Sequence, residues 1–581
     1  MKLSGYLRGY KKETVLSPLF KFFEAVLELF IPVIVARVID RYIPAGDTRG
    51  IVLMICLMAA LGAVGFGFSV LGQYFAARSS AGFGTKLREA IFDKVESMSY
   101  SDLDRTPAPT LINRLNSDAS GAQSGLNIVL RLVLRSPFIV VGSAVMAFTI
   151  DLSSALIFTA TVVVLTAASL AVVLSGVPVF RRSQGALDRV TELTRDNMTG
   201  VRVIRAFIRE DEEIKSYDEA TEKLSRLQKL AGRISGALNP ATYVIINTAL
   251  ILILRSGSVR IGSGSMTQGQ VIALYNYMTQ MLTELLKLAG LIVMLARSYA
   301  CAGRVGAFLN SAPASETEKR RSGGEKAAES VGGAAPRVEF RSVASAYGAG
   351  AEPALRDLSF KAYPGETIGI IGGTGSGKTT LVNLIPRFYD VSSGAVLVDG
   401  GDVRDFDPAV LRKKCAVVPQ KAVLFKGTVR ENLMWGNPDA DDAALIEALH
   451  TACFDDLAST RDGLDTAVAQ YGSNFSGGQR QRLTVARALV RRPEILVLDD
   501  SSSALDYATD AEMRRRLASL DFSPTVFIVA QRTGSVRDAD LIIVLDDGDV
   551  AGMGKHADLL ENCPIYREIH RVQFGDGEVT A

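Results

Sequence analysis

Six apolar runs occupy the first 300 residues of this 581-residue chain. They fall at about 16–39, 51–77, 128–150, 155–177, 237–261 and 270–295. Each is long enough to cross a bilayer, which takes about 20 apolar residues. A backbone in hydrocarbon has to satisfy its own polar groups, so runs of this length are expected as helices. Lys21, Glu24 and Glu28 interrupt the first run, and Glu284 and Lys287 interrupt the sixth. Charges at such places must face the bundle interior, a water-filled cavity or the headgroups. Glu24, Glu28, Arg37, Asn247, Asn276, Gln280 and Glu284 are therefore read either as lining a cavity or as interhelical glue.

The connections suggest a topology. Those at 41–50, 151–154 and about 262–269 are short, whereas the other two are long and basic. One long connection carries Arg78, Lys86, Arg88, Lys94, Arg105 and Arg114, and the other is rich in arginine between Arg181 and Arg209. The positive-inside tendency places both, and both termini, in the cytoplasm. Their helical periodicity predicts that the membrane helices continue beyond the bilayer, where about 20 extra residues add ~30 Å. Each connection has a punctuated middle, at 104–115 with Pro107 and Pro109 and at 197–207 with Gly200. A helix break followed by a short amphipathic turn is expected at both. No cleavable signal peptide is expected from the polar, basic start.

From 311 to 336 the composition turns to Ser, Ala, Gly, Glu and Lys, which cannot bury a core and reads as a flexible linker. The expected organisation is a transmembrane domain at 1–310, this linker, and a soluble α/β domain at 337–581. The net charge of +2 gives no electrostatic argument for a nucleic-acid partner. Cys56, Cys301, Cys415, Cys453 and Cys563 have no paired spacing, and are expected as reduced thiols.

In the soluble part, the apolar stretch 367–371 is followed by Gly372, Gly373, Thr374, Gly375, Ser376, Gly377, Lys378, Thr379 and Thr380, and then by a helical pattern. Strand, glycine-rich turn and helix with G-x-x-x-x-G-K-[ST] is a phosphate-binding loop. Glycines turn backbone N–H groups inward, and the helix N-terminus adds partial positive charge. Lys378 is expected to reach the β- and γ-phosphates, and the Thr379 hydroxyl to ligate Mg²⁺. The strand at 415–419 ends at Gln420, and the buried strand at 495–498 ends in Asp499 and Asp500. A carboxylate at such a strand end serves Mg²⁺ in phosphate-loop nucleotidases. Between them lie Phe475, Ser476, Gly477, Gly478 and Gln479 at a helix start, a second anion site by the same physics.

This order of motifs, with Ser503 to Asp506 reading S-A-L-D, resembles an ATP-binding cassette (ABC) domain over about 337–574. With six membrane segments ahead of it, the chain resembles an ABC exporter half-transporter. The resemblance implies a membrane all-α six-helix domain joined to a cytosolic α/β phosphate-loop ATPase domain. It implies that 106–118 and 197–207 are the first and second coupling helices. It also implies that two cassettes pack head to tail, each ATP lying between one phosphate loop and the other chain's signature. Tyr347 would stack on adenine, Gln420 would contact Mg²⁺ and the attacking water, Asp499 would hold Mg²⁺ through water, and Asp506 would cross the dimer interface.

Three residues depart from the pattern. Asp500 stands where the family has the glutamate that orients water, Gln531 where it has a histidine, and Gln470 where such exporters commonly have a glutamate. Asp500 is one methylene short, and a misplacement near 1 Å can cost ~10²-fold. Gln531 can hydrogen-bond a γ-phosphate but carries no proton or positive charge. Two weakened groups in one hydrolytic site, beside an intact signature, imply the degenerate-site subunit of a heterodimeric multidrug-type exporter. Its partner would bring the working glutamate and histidine. The expected setting is the plasma (inner) membrane, with an amphipathic solute (drug, lipid or peptide) as cargo. An importer of siderophore or metal-chelate type and a nucleotide-gated regulator or channel are the alternatives.

Overall fold

A computed structural model describes residues 3–311, 335–348, 350–455 and 462–574. The chain forms two compact units, Met1–Ser97 with Ala108–Ser311 and Met98–Pro107 with Ala312–Ala581. The linker expected at 311–336 lies, except for its ends, outside the described residues.

The first unit is helical: α1 Lys11–Arg37, α2 Thr48–Glu96, α4 Ala108–Asn113, α5 Ala119–Ile128, α6 Arg135–Ile150, α7 Leu152–Ala206, α8 Glu210–Gly236, α9 Leu238–Gly262 and α10 Gln268–Asn310. The short α3, Tyr100–Arg105, belongs to the second unit. Among the described residues, four stretches are long and apolar enough to cross a membrane: Thr48–Glu96, Ala108–Ile150, Leu152–Ala206 and Glu210–Gly262. The other two expected spans coincide with α1 and α10, the helices that carry the interrupting charges. The 55 residues of α7 extend about 80 Å at 1.5 Å per residue, far more than the ~30 Å hydrocarbon layer. Short turns are fixed by caps. Asp47 accepts from the Gly50 N–H, Asp151 from that of Ser154, and Thr267 forms a capping box with Gln270.

The first expected helix break falls at Thr106 and Pro107, between α3 and α4, whereas the second shifts. Helix α7 runs through Gly200 to Ala206, and the chain turns only at Ile208, whose φ is +54°. One interior glycine costs about 1 kcal/mol, too little by itself to end a helix of 55 residues. The stretch 197–207 is therefore the end of a long helix rather than a separate one. In the first connection, 108–118 is α4 continued by the π-helical turn Arg114–Asp118, within the first unit, while Thr106 and Pro107 belong to the second. The separate short helix is α3, just upstream. Ser99 caps it, and Thr106, extended ahead of Pro107, ends it.

The charges of α1 and α10 meet on Arg135 of α6, which lies inside an expected apolar span. Its guanidinium is 2.6 Å from Glu28, 2.7 Å from Glu284 and 3.5 Å from Glu24. Lys21 pairs with Glu24 at 2.6 Å and Lys287 with Glu284 at 2.9 Å, while the Ser136 hydroxyl donates to Glu284. Three carboxylates and three cations thus neutralise one another, and Glu24, Glu28 and Glu284 act as interhelical glue. Nearby, the Tyr277 hydroxyl donates to the Leu29 carbonyl at 2.6 Å, tying α10 to α1. Asn247 bonds its own helix, at the Tyr243 carbonyl.

The second unit is built on strands β1 Val338–Ser345, β2 Leu355–Ala362, β3 Thr367–Gly372, β4 Ser393–Val398, β5 Gly401–Asp402, β6 Cys415–Val418, β7 Gly427–Thr428, β8 Ala467–Val468, β9 Ile495–Asp499, β10 Thr525–Ala530, β11 Leu541–Asp546 and β12 Asp549–Gly554. The main sheet has the order β12-β11-β3-β10-β9-β6 and is parallel except for β12. An antiparallel sheet, β2-β1-β4-β5, and the small β7-β8 pair complete the unit. β9 and β10 are buried along their whole length. Ile495 and Val497 join one apolar cluster, and Leu496 and Leu498 the other. A strand covered on both faces reads as a continuous apolar run, which is why I-L-V-L precedes Asp499.

The register places the functional ends together. β10 pairs with both β3 and β9, matching Val529 to Ile370 and to Asp499. The turn after β3 and the residues after β6, β9 and β10 therefore emerge along one edge. In open parallel α/β sheets that carboxyl edge is where ligands bind.

Candidate active site

The turn after β3 is a loop that side chains could not fill. Gly375 and Gly377 have φ of +86° and +97°, and a Cβ on Gly377 would lie 2.5 Å from the Ala354 carbonyl oxygen. Lys378 opens the helix Lys378–Leu384 and folds back over the loop, its Nζ donating to the carbonyls of Gly372 at 2.9 Å and Gly373 at 2.5 Å. Burial pulls this ammonium below the ordinary lysine range, and the charges of Asp500 and Asp499 oppose the shift. The next residue, Thr379, donates its hydroxyl to Asp499 at 3.0 and 3.1 Å. Burial pushes the Asp499 carboxyl up. The Thr379 hydrogen bond pulls it back, the charge of Asp500 raises it further and that of Lys378 lowers it. A half-buried ammonium held on loop carbonyls beside a buried carboxylate fits a site meant for an anion and a cation together. The Thr379 hydroxyl and the Asp499 carboxylate are the hard oxygen donors that Mg²⁺ takes, so the residues present fit both ATP and Mg²⁺.

Asp500 is buried and sits in the left-handed region at φ +49°, which aspartate tolerates better than most residues. Its N–H donates to the Val529 carbonyl, and its own carbonyl accepts from the Ser503 N–H and hydroxyl. One carboxylate oxygen, Oδ2, accepts from Gln420 Nε2 at 3.1 Å and from Gln531 Nε2 at 3.0 Å. Two uncharged amides thus close on one short carboxylate. The structure brings together Lys378, Thr379, Gln420, Asp499, Asp500 and Gln531, which span more than 150 positions of sequence.

Tyr347 is tied to the same helix, since its hydroxyl lies 2.8 Å from that of Thr380. Tyr389 stands edge-on to the Tyr347 ring, with centroids 5.1 Å apart and planes at 82°. The Tyr389 hydroxyl donates to Asp104 of α3 at 2.6 Å, and Tyr100 of α3 stacks on Phe388 at 4.2 Å. Burial pushes the Tyr389 phenol up, and the Asp104 carboxylate adds to the shift. Sequence reading missed Tyr389, Tyr100 and Asp104. The available signal was the pair Phe388-Tyr389 directly after a helix end, which a rule based on local motifs does not weight.

Among the described residues, no hydrogen bond joins the signature to this chain's own phosphate loop. Ser476 caps the helix Gly477–Leu489 in a capping box, its hydroxyl accepting from the Gln479 N–H at 3.2 Å while Gln479 Oε1 accepts from the Ser476 N–H at 2.9 Å. Phe475 packs against the core. Gly478 has Ala504 behind it, where a Cβ would lie 3.0 Å from the carbonyl oxygen, whereas a Cβ on Gly477 would meet open space. Asp506 is exposed and caps the helix Tyr507–Ala518, accepting from the Thr509 N–H and hydroxyl at 2.9 Å. Those hydrogen bonds hold its carboxyl below the usual range. Gln470 is exposed on the 3₁₀ turn Gln470–Gly472. The signature and Asp506 thus form a second, outward-facing group.

Comparison with known proteins agrees with this architecture. Residues 14–285 match the ABC transporter transmembrane region, and 355–503 match the ABC transporter domain. The ABC transporter ATP-binding protein Rv1273c of Mycobacterium tuberculosis (strain ATCC 25618 / H37Rv) is 35% identical over 569 residues, 97% of each chain. A fatty acid ABC transporter ATP-binding/permease protein of Mycobacterium tuberculosis (strain CDC 1551 / Oshkosh) is 31% identical, over 84% of this chain and 76% of its own. In fold, the chain is similar to a bacterial Atm1-family ABC exporter solved with ATP bound. The TM-score is 0.77 at 22% identity, over 98% of this chain and 99% of that one.

Proposed function

The chain belongs to the ABC transporter family, and from that premise we propose that it is one subunit of a heterodimeric exporter whose own phosphate-loop site hydrolyses ATP poorly. Its family activity is ATP hydrolysis coupled to transport, and its fold is that of an exporter with a helical transmembrane region. The observation that carries the proposal is the carboxylate of Asp500, shared between Gln420 and Gln531. Neither amide can carry a proton or a charge, and the carboxylate is a methylene shorter than glutamate.

The roles follow from position. Lys378 and the backbone of 372–380 would hold the β- and γ-phosphates, and Tyr347 would stack on adenine. Thr379, Gln420 and Asp499 would hold Mg²⁺, Asp499 through water. The cation supplies Lewis-acid polarisation of the phosphate oxygens. Asp500 would orient water, weakly, and Gln531 would reach the γ-phosphate as a neutral donor. Ser476, Gly477 and Gly478 would complete the partner's active site, with Asp506 at the interface. The partner is a second half-transporter that brings the intact glutamate and histidine.

The setting that supports this reading is the plasma (inner) membrane, with the ATPase domain and both termini cytoplasmic, since the long connections are the basic ones. The cargo is an amphipathic solute moved outward by alternating access. A relative described as a fatty acid transporter favours a lipid-like molecule among drug, lipid and peptide. ATP turnover by the purified full chain in the absence of any partner tests the proposal. Turnover near background is expected, and robust turnover would sink the heterodimer.

A further inference from the structure

Beyond the strand β10, the segment Gln531–Thr533 is gripped from the far end of the chain. The helix Pro564–Phe574 buries Tyr566 and His570, one turn apart on one face, and Gln573 follows His570 by three positions on that face. Gln573 Oε1 accepts from the Thr533 N–H at 2.8 Å and from the Thr533 hydroxyl at 3.1 Å. Its Nε2 donates to the Gln531 carbonyl at 2.8 Å. The buried Thr533 hydroxyl also lies 3.0 Å from His570 Nδ1. Gly534 leaves room for two rings, since a Cβ there would meet Tyr507 at 3.1 Å and Phe574 at 3.5 Å. The other end of the helix is anchored by Tyr566, whose hydroxyl lies 2.7 Å from His556 Nδ1.

We propose that Gln573 is a positioning residue for the γ-phosphate end of the nucleotide site, fixing the backbone on both sides of Arg532 so that the Gln531 amide is held toward Asp500. The inference rests on the reading of Gln531 as the group that reaches the γ-phosphate. A side-chain amide holds an acceptor oxygen and a donor NH2 side by side, which lets Gln573 make both backbone bonds at once. It clamps the carbonyl of Gln531 and the N–H of Thr533 as a neighbouring strand would. With Gln573 in place, Gln531 Nε2 stays 3.0 Å from Asp500 Oδ2 without holding itself there. Geometry fixed in advance, rather than found on binding, is what keeps affinity from being lost to ordering.

The test compares ATP and ADP, because only ATP carries the γ-phosphate. Binding of both nucleotides, with Mg²⁺, is measured on the full chain in detergent, together with amide hydrogen exchange of the nucleotide-free chain. Gln573→Ala is expected to raise the Kd for ATP about fivefold and leave that for ADP within twofold. Exchange at the Thr533 amide should speed up about tenfold, while that of β10 stays unchanged. Gln573→Glu keeps the acceptor and loses the donor, and should fall between. If Gln531→Ala lowers the preference for ATP and Gln573→Ala does not, the positioning role is wrong. If Gln531→Ala itself leaves the preference unchanged, the γ-phosphate reading of Gln531 fails and Gln573 has nothing to position. Equal weakening of both nucleotides by Gln573→Ala would mark a merely structural residue and overturn the inference.

Discussion

Gly477→Asp should lower ATP turnover of the assembled exporter at least about a hundredfold while leaving this chain's stability almost untouched. The two halves of the expectation have separate causes. A Cβ at Gly477 meets open space, so the substitution has nothing to push against within the chain. Exposed changes of that kind fall within about ±0.5 kcal/mol. The same openness means that whatever packs against Gly477 comes from outside. A carboxylate at the N-terminus of the helix Gly477–Leu489 would place negative charge where the partner's bound phosphates are proposed to lie. Removing one preorganised anion donor costs about 10²–10³ in kcat, and adding an opposing charge costs no less. Gly478→Ala would be a poorer test, because the Ala504 carbonyl lies 3.0 Å from its Cβ position and folding would suffer as well. Turnover of the purified complex, beside its thermal midpoint, measures both halves. Near-normal turnover would contradict the assignment of the working site to this signature.

The second large effect is a gain. Asp500→Glu together with Gln531→His should raise hydrolysis at this chain's own site at least about tenfold. The glutamate extends the carboxylate by one methylene and recovers the reach whose loss costs up to ~10²-fold. The histidine adds a group that can carry a proton near neutral pH. The gain should come with a modest loss of stability, since φ at Asp500 is +49° and glutamate tolerates that region less well than aspartate. Single-site turnover, read with the partner's glutamate removed, measures it. An unchanged rate would place the defect elsewhere than in these two residues.

Much of this site is legible in the sequence because its parts are local. The phosphate loop needs its glycines, Lys378 and Thr379 at fixed spacing after a strand, and Asp499, Asp500 and Gln531 each follow a short, β-branched apolar run that reads as a buried strand. The parallel register then lines these ends up without further information. What the sequence hides are pairings between distant side chains on surfaces without a period. Gln573 meets Gln531 from 42 residues away, and Tyr389 meets Asp104 from 285. Arg135 is hidden differently, as one charge inside an apolar run whose meaning depends on three carboxylates of two other helices. The second helix break lies later than expected because Gly200 looks like punctuation, while the first falls at Pro107 as the prolines imply. In the fold, a single glycine costs too little to end so long a helix, and the chain turns instead at Ile208.

The nucleotide held at each loop tests the proposal that this chain's phosphate loop retains ATP while its partner's turns it over. Photolabelling with 8-azido-ATP, during turnover of the complex purified through this chain, reads the nucleotide at each loop. The triphosphate is expected on this chain and the diphosphate on its partner. Diphosphate on this chain, in amounts equal to the partner's, would contradict the proposal.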